Sequence, residues 1–62
     1  MKAIEFTAAC VQELAPKADV KITSEDWLWA TDADGNWQVM GMNLSMPLFS
    51  QALWFVYDVL GY

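Results

Sequence analysis

Trp27-Leu28-Trp29-Ala30-Thr31-Asp32-Ala33-Asp34-Gly35-Asn36-Trp37-Gln38-Val39-Met40 sets two runs of β-prone residues around an Asp-Gly pair, and this stretch decides the fold. Tryptophan, valine and threonine fit a pleated, half-buried surface. Glycine at 35 supplies the positive φ that hairpin turns require. A loop of two residues (Asp34-Gly35) or four (Asp32 to Gly35) puts Trp27, Trp29 and Thr31 on one face with Gln38, Met40 and Met42. Leu28 and Ala30 then share the other face with Trp37 and Val39. A three-residue loop exchanges the partners, because moving the register by one residue turns every side chain over.

Outward from the hairpin, the N-terminal segment Ala3 to Ala15 carries Ile4, Ala8, Val11 and Ala15 at helical spacing, with Phe6, Cys10 and Leu14 on an adjoining track. Pro16 ends that helix by disfavouring helical geometry at Ala15 and removing a donor. The alternative for residues 2–7 is a short strand with Ile4 and Phe6 on one face. Val20-Lys21-Ile22-Thr23 alternates with period two and suggests a third short strand. Ser24 before Glu25 and Asp26 resembles a one-turn helix start. Beyond the hairpin, Ser45 is the expected N-cap and Pro47 lies in the first turn of a helix running to about Leu60, with Gly61 as its stop. That helix carries Ser50, Gln51 and Asp58 as its only polar residues, so it is apolar on nearly every side. The expected fold is α+β: one domain over 1–62, with an N-terminal helix, a β-hairpin and a C-terminal apolar helix.

The chain has 62 residues, and a core of that size is marginal without a staple. Cys10 is the one cysteine and histidine is absent, which excludes an internal disulfide and leaves no Cys–His pair for zinc or nucleophilic catalysis. Cys10 reads as a small hydrophobe on the helix. In place of staples the chain is 56% hydrophobic, with four Trp, three Phe, two Tyr and four Met. The longest apolar stretch, Ala52 to Tyr57, is too short to span a bilayer. No secretory signal is legible after Lys2 and Glu5, so the expected location is cytoplasmic.

Asp32-Ala33-Asp34-Gly35-Asn36 has the look of a calcium loop, but with Gly35 at the sixth position the first and twelfth ligand positions fall on Ala30 and Gly41. The carboxylate pairs Glu25/Asp26 and Asp32/Asp34 stand about 20 Å apart at ~3.3 Å per residue, too far for one acid–base dyad. With no His, no Arg, no phosphate loop and no activated Ser, the expectation is a protein that is not an enzyme and takes no metal or cofactor.

Eight acidic residues against three basic ones give a net charge of −5, which repels nucleic acid and anionic lipid and favours a basic protein surface. Full duplex mimicry is excluded, since ~30 Å of DNA presents roughly 18 charges, although mimicry of a few phosphates stays open. The hairpin is apolar on both faces, so two helices can cover only one of them. The uncovered face is expected to be an interface. If the C-terminal helix packs on Leu28, Trp37 and Val39, the partner-binding residues are Trp27, Trp29 and Met40, with Glu25, Asp26, Asp32 and Asp34 steering association. If the other face is free, Trp37 with Val39 is the patch. The expected function is binding to another protein with a basic or apolar surface, on the pattern of small phage or mobile-element products that inhibit host enzymes or defence systems. The alternatives are a self-associating or accessory subunit, a homodimer in the simplest case, and a partial phosphate mimic.

Overall fold

A computed structural model describes residues 2–62 as an N-terminal helix, a three-stranded antiparallel sheet and a C-terminal helix, an α+β arrangement. Helix α1 spans Ala3–Leu14, so residues 3–7 are helical and not a strand. Ile4, Thr7 and Val11 form its buried stripe at spacings of three and four. The Thr7 hydroxyl is satisfied by donating to the Ala3 carbonyl at 2.9 Å. At its end Ala15 leaves helical geometry in front of Pro16 (φ −131). The Gln12 amide then donates to the carbonyls of Ala15 and Ala18 at 3.2 and 2.8 Å. One side chain thus serves acceptors that the helix end leaves open.

Strands β1 (Val20–Ser24), β2 (Trp27–Thr31) and β3 (Trp37–Gly41) lie side by side in that order. Ser24, Glu25 and Asp26 make no helical turn: Ser24 pairs with Trp27, and the register shifts between Ile22 and Ser24, a bulge that closes the first hairpin. In the second hairpin Asp32 faces Asn36, with the Asp32 N–H donating to the Asn36 carbonyl at 2.7 Å. Three residues, Ala33, Asp34 and Gly35, therefore form the loop. The Gly35 N–H donates to the Asp32 carbonyl at 3.0 Å and Gly35 has φ +86, so a four-residue turn, Asp32 to Gly35, ends on a left-handed glycine.

This loop exchanges the partners expected from an even-numbered one. Leu28 faces Met40 and Trp29 faces Val39, so Met40 shares the inner face with Leu28 and Ala30. Met40 is 5% exposed and belongs to the core, which corrects its expected place on the outer face. Trp37 and Val39 take that place beside Trp27 and Trp29.

The C-terminal helix α2 begins at Leu48, preceded by Pro47 in extended geometry, and ends at Trp54. Ser45 is not its N-cap: the Ser45 N–H and hydroxyl both donate to the Asn43 side-chain oxygen, at 3.0 and 2.6 Å, in a local turn. Phe55–Val59 continues α2 as a wider π-helical turn. There the Leu60 N–H donates to the Phe55 carbonyl, five residues back, at 2.8 Å. The wider turn swings Leu60 round toward Phe55, and both are fully enclosed. Gly61, at φ +79, ends the helix. The two helices cover the inner sheet face, and Val11, Leu28, Phe55, Val56 and Leu60 form the centre of the core. Cys10 is half-buried against it.

Candidate protein-binding face

The outer sheet face is left without a covering layer. Trp27, Trp29 and Thr31 of β2 stand between Lys21 and Thr23 of β1 and Trp37, Val39 and Gly41 of β3. Trp27 is 50% exposed, Trp37 42% and Val39 41%. Trp29, on the central strand, is half-buried.

Each indole is held by a neighbour. The Trp29 ring N–H donates to the Thr23 hydroxyl at 3.0 Å. The Lys21 ammonium lies 5.6 Å from the Trp29 ring centre and 4.3 Å from that of Trp37, bridging two strands by cation–π attraction. The Trp27 ring lies over Gly41, where an added Cβ would stand 3.3 Å from it. Glycine at 41 therefore gives the ring its seat, filling the gap that a strand glycine leaves. An aromatic surface so fixed loses little side-chain freedom on binding.

The expected acidic residues divide by position. Glu25 and Asp26 are exposed in the β1–β2 turn, where Glu25 meets Lys2 at 3.8 Å in a solvent-exposed pair that contributes little. Asp34 is exposed at the other end of the hairpin. Asp32 is turned into its own loop, one oxygen accepting the N–H groups of Asp34 and Asn36 at 2.9 Å each and the other the Gln38 amide at 3.0 Å. These bonds, Gln38 first, hold its carboxyl below the usual carboxylate range. Its bonds fix the turn, which leaves Glu25, Asp26 and Asp34 as the carboxylates of the expected set that are exposed. Trp37, Val39 and Gly41 join the face through the odd loop, and Lys21 joins it opposite Trp29 in the β1–β2 pairing.

A second apolar surface runs along the outward side of α2, where Phe49, Trp54 and Tyr57 are each about half exposed, with Leu44 and Met46 in the preceding loop. Among the described residues no three metal-ligating side chains come together. No described helix is long and apolar enough to cross a membrane.

The fold and face together define a small α+β module with one layer of helices and an open aromatic sheet. No protein-family profile matches the chain, and no solved structure matches it. Over 52 residues, 84% of its length, the chain is 38% identical to a curated relative, the tRNA-modifying protein YgfZ of Vibrio vulnificus (strain YJ016). It spans 16% of the length of that relative.

Proposed function

We propose that this protein binds another protein through the outer sheet face, and that it acts by occupying its partner's surface. The supporting observation is the row of Trp27, Trp29 and Trp37, with Trp27 and Trp37 exposed and Trp29 half-buried between them, already fixed by Thr23, Lys21 and Gly41. Aromatic residues are the common anchors of interface centres, and contiguous exposed apolar patches in small proteins generally mark interaction sites. The net charge of −5 selects a basic partner surface and speeds encounter with it. On this reading the protein inhibits its partner by occupancy rather than by chemistry.

Capture from source cells with the parent protein and with Trp29→Ala and Trp37→Ala tests the reading, after circular dichroism has shown both variants folded. A partner retained by the parent and lost by at least tenfold in either variant supports it, at ~1.4 kcal/mol per tenfold. Equal retention by all three would place binding elsewhere, with the Phe49, Trp54 and Tyr57 surface next to test.

The likeness to a short part of a tRNA-modifying protein favours a second reading, in which the module works as a piece of a larger assembly whose remainder covers its open faces. In that role its acidic surface contributes no direct RNA contact. Retention of bulk tRNA by the isolated chain in filter binding would contradict that division of labour.

A further inference from the structure

Beyond the face itself, the β3 edge is unpaired. The Met42 N–H bonds the Asp26 carbonyl at 2.9 Å and the Asp32 N–H bonds the Asn36 carbonyl, which fixes the phase of the β2–β3 ladder. In an antiparallel pair bonded and non-bonded positions alternate, so Gln38 and Met40 spend their backbone groups on β2. Trp37, Val39 and Gly41 turn theirs away from the sheet. Among the described residues no backbone or side-chain group takes them up. Natural edges are usually blunted by lysine, proline or a bulge. Strand β1 has its bulge at Ile22–Ser24, and β3 has none of the three.

We infer that β3 is a docking edge for an extended peptide segment of a partner protein, apolar at its centre and basic at its ends, which adds to the sheet as a fourth strand. The two sides of the edge suit such a segment. Side chains on one side of an added strand would lie beside Trp37 and Val39. Those on the other would meet a recess of about 290 Å³ lined by Met40, Gly41, Asn43, Met46, Gln51 and Trp54. Alternate pockets of this kind, combined with main-chain bonding, are the physics of strand addition.

Charge selects the occupant. The strand itself is uncharged, but Asp34 stands beyond its start and Asp26, opposite Met42, beyond its end, both exposed. Asp26 lies on the β2 side of Met42 and Asp34 in the hairpin loop, so a segment with lysine or arginine at both ends is drawn by their field, without direct pairing. A second copy of this chain, paired antiparallel about Val39, would instead bring the Asp34 end of one β3 against the Asp26 end of the other. Like charges would then oppose at both ends of the interface, which disfavours self-pairing.

This inference rests on the proposed protein-binding role, and its test separates the two. The probe is the synthetic peptide Lys-Lys-Val-Thr-Val-Thr-Val-Lys-Lys, with a counterpart carrying glutamate in place of lysine. The expected results are slowed amide exchange at Trp37, Val39 and Gly41 on adding the lysine peptide, and binding at least about tenfold tighter than the glutamate peptide at low salt. Val39→Pro removes one outward N–H and no ladder bond, so it should abolish that binding while tryptophan fluorescence reports an intact sheet. Equal binding of the two peptides, or protection that spares those three amides, would overturn the inference. So would a dimer of the parent protein that Val39→Pro dissolves, since the occupant would then be a second copy. If Trp29→Ala loses a captured partner and Val39→Pro keeps it, the face stands and the edge falls.

Discussion

Gln51 is 3% exposed and holds the β3–α2 connection through both ends of its amide. Its carbonyl oxygen accepts the Asn43 N–H at 3.0 Å, while its nitrogen donates to the carbonyls of Asn43 and, at 3.2 Å, Met46. Gln51→Met keeps the volume and removes three bonds, whose loop partners are near enough to solvent to regain water. At ~1 kcal/mol per net bond, with part recovered by hydration, the expected loss is about 1–2 kcal/mol. For a domain of this size that lowers Tm by about 5–15 °C. Gln51→Glu is the sharper change. The acceptor for Asn43 survives, but a buried carboxylate now faces two carbonyl oxygens, and the expected loss at neutral pH is about 2–4 kcal/mol. Protonation would restore a donor, so the introduced carboxyl should have a raised pKa in the folded state. Its stability should therefore be nearest the parent's below the unfolded value of about 4.3 and fall as pH rises toward the folded value. Thermal melts of both variants from about pH 3 to 8 provide the check. A Gln51→Glu protein that melts with the parent at neutral pH, with no extra pH dependence, would refute the clip.

Gly35→Val should cost more than ~1 kcal/mol by denaturant titration and Gly35→Asn distinctly less, because the site has open space and the penalty is that of φ +86 alone. Asp32 has a lowered folded pKa, so its contribution is present above the unfolded value of about 3.9 and is lost as pH falls through the folded one. Asp32→Asn should flatten that acid-side loss in melts between about pH 5 and 2, and an unchanged slope would show that the carboxylate does not anchor the turn. Lys21→Met should leave the fold intact but loosen Trp37, seen as faster acrylamide quenching of tryptophan fluorescence with no change in far-ultraviolet dichroism.

The ends of both helices and the hairpin turn are legible because Pro16, Gly61 and Gly35 each act through local backbone sterics. The stop at Ala15 and the positive φ at both glycines follow from one residue apiece. The register was harder. It turns on one residue of loop length, and Asp32, whose carboxylate closes the odd loop by binding two N–H groups and Gln38, belongs equally to a four-residue loop by composition. That single residue moved Met40 into the core and put Trp37 and Val39 on the open face. The start of α2 was misplaced for a similar reason. Ser45 has a good capping side chain, but Asn43 beside it takes both of its donors, and the helix waits until Pro47 has turned the chain. Gln51 reads as a polar break in an apolar helix, and only tertiary contact shows it facing inward.

The chain's last turn also reaches the hairpin tip. The Ala33 N–H donates to the Leu60 carbonyl at 2.8 Å, and the Tyr62 hydroxyl lies 2.9 and 3.1 Å from the carbonyls of Thr31 and Asp32. These bonds close a loop of nearly half the chain, for which the closure entropy is about 3 kcal/mol. Neither partner recovers that cost alone. Core packing of Leu60 against the sheet shares that cost, so the carboxyl-terminal turn serves as a clasp on the hairpin tip, and loosening either one weakens the hold on the other.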